Sequence, residues 1–448
     1  MKIALSIAGS DSGAGAGIQA DLKMFSALGV YGCTVITAIT AQNTKEVAEI
    51  FEISPPMVEQ QIRSVMTDMR PHAIKIGMVY SSPIIDAVYR SLKKTSKVPI
   101  VLDPILAAGT GAKLLRAEAY NSFVSKLLPL SSLITPNRME AEKLADIVIK
   151  KENDAIEAAR RIKKLGAENV VVKGGRFASA HVTDVLIDSK GNIMKFTNPL
   201  LKIEEIHGSG CNFSSAITAY LAKGMAVVEA CKMANEYVQI AIKNAIKIGR
   251  GLPISNPVSV IYRDADRYHI IAELQQAAEH VSMLDGFYRL IPETQTNFAY
   301  ALSNAADISD VAAVRGRIIR IENTAAPASY VKFGASSHVA SAIIAYMSVN
   351  PDFRSAINIR FDERIIDVCK SLFSVASYDR TKEPKKIKRK EGSTVTWGIL
   401  AALSKNPLAD VIYHMGDIGK EPMISLFGRN PAEVVKKVKA ILENYECA

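Results

Sequence analysis

Cysteine is scarce in this chain and badly placed for cross-linking. Its five cysteines, Cys33, Cys211, Cys231, Cys369 and Cys447, are odd in number, scattered over 448 residues and without any C-x-x-C pair. That pattern argues against both a disulfide framework and a zinc site. Long hydrophobic runs are missing as well. No stretch reaches the ~20 apolar residues that cross a bilayer, and the apolar start Ile3 to Ala8 is too short for a signal peptide. A cytoplasmic protein with no membrane partner is expected. Aromatics are absent where nucleic acid would need them. The net charge is +10, and much of it sits in RTKEPKKIKRK from Arg380 to Lys390, yet no aromatic side chain interleaves there. The run reads as a solvated loop, the excess charge as an attraction for small phosphorylated substrates, and nucleic acid is not an expected partner.

What is present is a folded composition, 48% hydrophobic and 22% charged, on a chain longer than one core usually organises. Two domains are expected. From Lys2 to about Arg250, β-branched runs (IALSIAG, CTVITAIT, HAIKIGM, VPIVLD) alternate with helical patterns (Ile18 to Leu28, Met57 to Met69, Pro83 to Lys94). Strands separated by such helices predict an α/β fold, a parallel sheet covered on both faces. SLITP, NVVVKGG and DVLID extend the sheet, and Gly29, Gly166 and Gly224 stand where helix C-caps belong. The Gly- and Pro-rich IGRGLPISN marks a boundary, giving domains 1–255 and 263–448. The second opens with a predicted helix, Arg263 to Leu284, and mixes strands (RGRIIRIEN, AINIRF, DVIYHMG) with helices (Ser337 to Ser348, Glu363 to Phe373, Ala432 to Leu442) into a smaller α/β domain.

The most informative string is His207-Gly208-Ser209-Gly210-Cys211, followed by small and apolar residues to Ala222. A glycine turn opening a helix leaves backbone N–H groups unpaired at the positive end of the helix dipole, which predicts an anion hole at Gly208, Ser209 and Gly210. Cys211 stands at its mouth, where that field lowers a thiol's pKa and offers a base. A base beside an anion hole suits phosphoryl transfer to an alcohol. The alternative is a glycine turn with a structural cysteine. Asp11 lies in the glycine-rich loop after the first strand; no Gly-Lys-Ser/Thr follows, so it is not a P-loop. Asn137 and Glu140 share a face at a helix start and, with Asp103 at a strand end, suit the water shell of Mg²⁺. Singly, Glu140 reads equally as a helix cap and Asp103 as a turn residue. Lys173 ends a strand as a cation for phosphate. Gln42 offers the donor and acceptor that a pyrimidine edge needs, and Met78 is a pocket or core residue.

In the second half, Phe333-Gly334-Ala335-Ser336-Ser337-His338 is another small-residue turn opening a helix, a second candidate phosphate site. A lone His338 is more often structural, but Asn297, Arg317, Asn358, Arg360, Arg380 and the string Gly416 to Glu421 all fall at predicted element ends. Bidentate arginine suits pyrophosphate.

The combination AGSDSGAGAGIQADLK, TAQNT, KIGM, DP, TPN-x-x-E, VKGG and HGSGC resembles the hydroxymethylpyrimidine kinase/phosphomethylpyrimidine kinase family of thiamine synthesis, a branch of the ribokinase-like fold, over about residues 1–250. The resemblance implies Cys211 as the base, Asp11, Gln42 and Met78 around the pyrimidine, and Asn137, Glu140 and Lys173 with Mg-ATP. Ser209 replaces the usual Thr, and Arg176 stands where the family often has His. PETQTNFAYAL, DVAAVRGRI, FGASSHVA, NIRF, YDRTKEP, TVTWGILAA and GDIGKEPM resemble the ThiN-type thiamine-phosphate synthase domain over about 265–448. That implies condensation of hydroxymethylpyrimidine diphosphate with a thiazole phosphate, with Arg317 and His338 as the catalytic pair. The substrates implied are small molecules, and pairing into a homodimer is expected because relatives of the kinase commonly pair. The competing readings are a pyridoxal-type kinase for the first half and a non-catalytic ligand sensor for the second.

Overall fold

A computed structural model describes residues 1–95, 98–107, 111–178, 180–201, 206–384, 393–417 and 419–445. The chain divides into two compact units, Met1–Ile261 and Tyr262–Ala448. The division falls later than the IGRGLPISN stretch because the residues just beyond it are still tied to the first unit. The Asn256 N–H donates to the Ala241 carbonyl at 3.0 Å and the Tyr237 hydroxyl to the Pro257 carbonyl at 2.8 Å. The following helix, Ser259–Ser282, starts earlier than its apolar pattern indicated.

The first unit holds a nine-stranded sheet of order β3-β2-β1-β4-β5-β6-β7-β8-β9. Its strands are β1 (Ile3–Asp11), β2 (Tyr31–Gln42), β3 (Val47–Glu52), β4 (Ala73–Ile76), β5 (Ile100–Leu102), β6 (Leu133–Ile134), β7 (Asn169–Ala178), β8 (His181–Ile187) and β9 (Ile193–Pro199). From β2 through β7 every pairing is parallel. The strands are apolar on both faces, as crossover helices on both sides require. Leu5, Ile7, Ile74, Ile76, Val170 and Val172 face one core. The alternate residues Ala4, Ala73 and Val171 face the other. Helices Pro55–Asp68, Ser82–Leu92, Arg138–Ala145 and Glu152–Lys164 cover the first core. Helices Gly17–Ala27, Ser209–Ala222 and Val227–Lys243 cover the second. β3, β8 and β9 run antiparallel at the two edges. Neither β3 nor β9 was read from the sequence, because VAEIFE and IMKFTNP lie on half-solvated edges and lack a continuous apolar run.

The chain leaves β1 for β2 on one side and returns to β4 on the other. Such a switch point opens a crevice beyond the strand C-termini. Asp11 ends β1, Met78 lies two residues past β4, Asp103 follows β5, Asn137 comes shortly after β6 and Lys173 lies on β7.

The second unit has a seven-stranded sheet of order β14-β11-β10-β15-β18-β17-β16. The ranges are β10 (Phe298–Ala301), β11 (Val311–Val314), β14 (Val331–Phe333), β15 (Ser355–Arg360), β16 (Val375–Ser377), β17 (Val411–His414) and β18 (Met423–Gly428). Only β16 and β17 pair in parallel. β12 (Ile318–Ile321) and β13 (Thr324–Pro327) form a separate hairpin, so RGRIIRIEN supplies one strand of that hairpin and not a strand of the main sheet. Phe298, Tyr300, Ile357 and Ile359 pack with helices Ser259–Ser282, Glu363–Leu372 and Pro431–Tyr445. Ala299, Ala301 and Ala356 face helices His338–Met347 and Ser393–Leu403. Arg380–Lys382 forms a 3₁₀ turn. Residues 385–390 of the basic run lie outside the described residues.

Candidate active sites

A cavity of about 710 Å³ opens in the first unit at the switch point. Asp11, Gln42, Met78, Asp103, Asn137, Glu140, Lys173 and the Gly208-Ser209-Gly210-Cys211 turn all line it, as does Arg176. Every residue singled out in this half therefore converges on one space. Their local roles differ from the expectation in several places.

The Asp11 carboxylate organises the glycine loop around itself. It accepts N–H bonds from Gly13 (2.8 Å), Gly15 (3.0 Å) and Ala16 (2.8 Å). Burial alone would raise its pKa, but hydrogen bonds from His207, Ala16 and Gly13 hold it below the ordinary carboxylate value. His207 Nε2 lies 3.4 Å from Asp11 and 3.3 Å from the Gln42 amide nitrogen. It thus joins the glycine loop to the anion-hole turn. A Cβ on Gly15 would sit 2.3 Å from the His207 ring, so only a bare backbone leaves room for that ring.

Helix Ser209–Ala222 begins at Gly208, whose φ of +81° is left-handed. A Cβ there would also come within 1.9 Å of the Gly15 carbonyl. The first intrahelical bond runs from Asn212 N–H to Gly208 O at 2.9 Å. The amides of Ser209, Gly210 and Cys211 precede it and have no partner within the helix, so they stand at its N-terminal end beside the pocket. Lys173 Nζ is 3.2 Å from where a Gly210 Cβ would stand, which places an ammonium at the same helix terminus.

Cys211 is buried, and this reverses the expected direction of its pKa. Burial pushes the thiol up to about 11, with Lys75 and Lys173 pulling it down and Asp103 and Asp21 pushing it up. Desolvation of the buried sulfur is the largest influence and outweighs the two nearby ammonium groups. The free protein carries a thiol here, not a thiolate.

The acids are also engaged. Asp103 accepts from Lys173 Nζ at 2.8 Å and from the Ser214 hydroxyl at 3.1 Å. Glu140 and Asn137 form a reciprocal capping box, with Glu140 Oε2 taking the Asn137 N–H at 2.7 Å and Asn137 Oδ1 taking the Glu140 N–H at 2.9 Å. The capping reading of Glu140 therefore holds alongside its place in the pocket. Burial raises the Glu140 carboxyl to about 7; Lys173 lowers it and Asp103 raises it.

Beneath the pocket lies a cluster that sequence reasoning missed. Lys75 Nζ meets Asp21 Oδ1 at 2.5 Å with both side chains fully buried, and Asp21 also accepts from Ser6 and Ser215, each at 2.5 Å. KIGM drew attention through its methionine, but its lysine is one of the charged groups acting on Cys211. A lysine inside an apolar strand was the available signal.

In the second unit, Arg317 sits at φ +73° directly after Gly316 at φ +76°. It donates through Nη1 to the Thr294 carbonyl. His338 is the first residue of helix His338–Met347. Desolvation, with the charges of Arg317, Lys420 and Arg380, holds its pKa below the ordinary histidine value. His338 therefore lies among three cations. Asn358 serves the backbone, its Oδ1 accepting the Asn297 N–H at 2.7 Å, whereas the Asn297 Oδ1 is buried without a hydrogen-bond partner among the described residues. Arg360 pairs with Asp362 at 3.1 Å. Ile418 lies outside the described residues.

A mostly parallel sheet with a glycine-lined pocket at its switch point, floored by a helix N-terminus, defines a ribokinase-like small-molecule kinase. It is joined here to a second α/β domain. A bacterial pyridoxal kinase, from Bacillus subtilis in complex with ADP, shares this fold with a TM-score of 0.54 and 34% identity over 58% of this chain and 99% of its own. The family model for phosphomethylpyrimidine kinase matches residues 11–257, and that for thiamine-phosphate synthase ThiN matches 273–440. The chain belongs to the phosphomethylpyrimidine kinase family and carries a ThiN domain behind it. The bifunctional thiamine biosynthesis protein ThiDN of Methanocaldococcus jannaschii is 33% identical over 445 residues, covering 99% of both chains. The hydroxymethylpyrimidine/phosphomethylpyrimidine kinase of Bacillus subtilis is 41% identical over 249 residues, which is 55% of this chain and 92% of that enzyme.

Proposed function

We propose that the first unit phosphorylates 4-amino-5-hydroxymethyl-2-methylpyrimidine twice at the expense of ATP, and that the second joins the resulting diphosphate to a thiazole phosphate, giving thiamine phosphate and pyrophosphate. The observation that carries this reading is the convergence of pyrimidine-edge, phosphate and proton-accepting groups on one cavity. Gln42 and Met78 hold the ring, with Asp11 stiffening the loop beside them. The amides of Ser209, Gly210 and Cys211, with Lys173, take the charge of the transferring phosphoryl group. Cys211 accepts the hydroxymethyl proton. Only the thiolate form of Cys211 can take that proton, so turnover follows the thiolate fraction as pH rises.

Asp103 and Glu140 fit an ion held through its water shell. Both line the pocket, and their mutual repulsion contributes to the raised Glu140 pKa, which a nearby divalent cation would relieve. When bound, Mg²⁺ neutralises phosphate charge; Asn137 keeps Glu140 oriented toward it.

In the second unit Arg317, Lys420 and Arg380 neutralise the departing pyrophosphate. His338, neutral near pH 7, donates a hydrogen bond to it as positive charge develops on the pyrimidine methyl carbon. Cross-strand partners Ile39 and Phe51 are exposed on β2 and β3, which supports a homodimer through that edge, acting in the cytoplasm.

Purified protein given ATP, Mg²⁺, the hydroxymethylpyrimidine and thiazole phosphate should make thiamine phosphate. Arg317→Ala and His338→Ala should stop at the pyrimidine diphosphate, with condensation reduced on the order of 10²-fold or more. Full-rate condensation by those variants would remove the second-site assignment. A pyridoxal-type first unit would instead consume ATP faster with pyridoxal, and a sensor would bind thiamine phosphate without making it. The description of the full-length relative as bifunctional in biosynthesis weighs against the sensor.

A further inference from the structure

Glu421 is not needed by the chemistry above, yet its carboxylate is used at both oxygens by a loop far away in sequence. Oε1 accepts the Glu293 N–H at 2.9 Å. Oε2 accepts the Thr294 N–H at 3.1 Å and the Thr294 hydroxyl at 2.8 Å. The same Thr294 offers its carbonyl to the Arg317 guanidinium. The loop is tied again just downstream. Thr296 and Ile318 exchange N–H bonds at 3.2 and 2.7 Å, and Asn358 Nδ2 donates to the Gln295 carbonyl at 3.2 Å.

Arg317 itself stands in a left-handed backbone conformation, φ +73°, which an L-residue adopts only against steric crowding. Such strain persists where the surroundings over-determine it. An exposed loop carbonyl would ordinarily be hydrated and mobile, and a guanidinium bonded to it would share that freedom. A doubly engaged carboxylate removes it. The adjacent Lys420 is one of the three cations acting on His338. One short turn therefore reaches both members of the second site.

We propose that Glu421 is a positioning residue for the condensation, holding Arg317 in place through Thr294. This rests on the reading of Arg317 given under Proposed function. In that role Glu421 touches no substrate. Its carboxylate fixes the carbonyl, the carbonyl fixes one guanidinium nitrogen, and the remaining guanidinium donors keep their aim at the pyrophosphate.

The test uses the full-length protein supplied with hydroxymethylpyrimidine diphosphate and thiazole phosphate, with the kinase rate of each variant as an internal control. Glu421→Ala should lower condensation kcat on the order of 10- to 100-fold, a size typical of misplacing a catalytic group by about an ångström, with kinase turnover unchanged. Glu421→Gln, which keeps one acceptor oxygen, should recover part of the loss. Arg317→Ala/Glu421→Ala should be no slower than Arg317→Ala alone, because a positioner has nothing left to position. Equal, additive losses in the two backgrounds, or an unchanged kcat in Glu421→Ala, would overturn the proposal while leaving Arg317 in its role. Full activity of Arg317→Ala would overturn both. Should Glu421→Ala lose the second unit's thermal transition, the Glu421→Gln pair decides, with the same two outcomes.

Discussion

The two units place their reactive groups in opposite settings. In the first, the thiol, two ammonium groups and the acids that balance them are buried or nearly so. In the second, Arg317, His338 and Lys420 are exposed, and Arg317 directly precedes the β12–β13 hairpin. Burial makes each charge expensive, so the first site is built from tight pairs: Lys75 with Asp21, Lys173 with Asp103. Exposure makes like charges tolerable, so the second can gather Arg317, Lys420 and Arg380 around His338. A site for ATP must exclude water from the phosphoryl group, whereas a site releasing pyrophosphate needs positive charge and an exit.

Several experiments would break or sharpen this contrast. The largest effect is expected from Cys211→Ala, with kinase turnover reduced about 10²- to 10⁴-fold and condensation of supplied diphosphate untouched. Because the thiol is pushed up to about 11, wild-type kcat/KM should climb about tenfold per pH unit above neutrality, with no plateau below pH 10. A plateau near pH 8 would mean that Cys211 is not the proton acceptor.

Next comes Lys75→Met, which strands a buried carboxylate and should cost about 3–5 kcal/mol in the first unit. This is read from the unfolding transition that ATP raises; the second unit's transition should stay in place.

Two left-handed glycines, Gly208 capping its helix and Gly334 three residues before the cap Ser337, can be compared. Gly334 has φ +73° and open space around its missing Cβ, so Gly334→Ala should cost only the strain, about 1–2 kcal/mol. Gly208→Ala carries the same strain plus a clash with the Gly15 carbonyl, and should lose both stability and kinase activity. Equal costs at the two would show that the loop gives way.

The smallest effect concerns Glu140. Its carboxyl is raised from 4.5 to about 7, so the folded state binds more protons than the unfolded one between those values, and stability falls as pH rises through that window. Glu140→Gln should therefore gain on wild type from pH 5 to 8, measured on the same ATP-sensitive transition. A constant difference would mean that the carboxyl titrates normally.

The first-unit site was legible where function coincides with the end of a strand. Asp11, Met78, Asp103 and Lys173 lie on or just after strands, and Asn137 and Gly208 at helix starts. Local turn chemistry and patterning betray such positions. What was not legible depends on residues far apart in the chain. The contact of His207 with Asp11 spans 196 positions, and that of Lys75 with Asp21 spans 54. The Cys211 pKa was read in the wrong direction because a helix terminus is visible in sequence and the depth of its burial is not. Edge strands β3 and β9 escaped because alternating, half-solvated segments imitate loops.

Sequence alone settled the α/β class, the chain's two-part order and the chemical kinds of residue available for phosphoryl transfer, since periodicity and turn residues are local properties of a polymer. Tertiary structure decided which charges neutralise one another, which proton the Cys211 sulfur retains, and that Glu421 reaches Thr294. Those depend on dielectric surroundings and on distances across the fold, which no stretch of chain carries by itself.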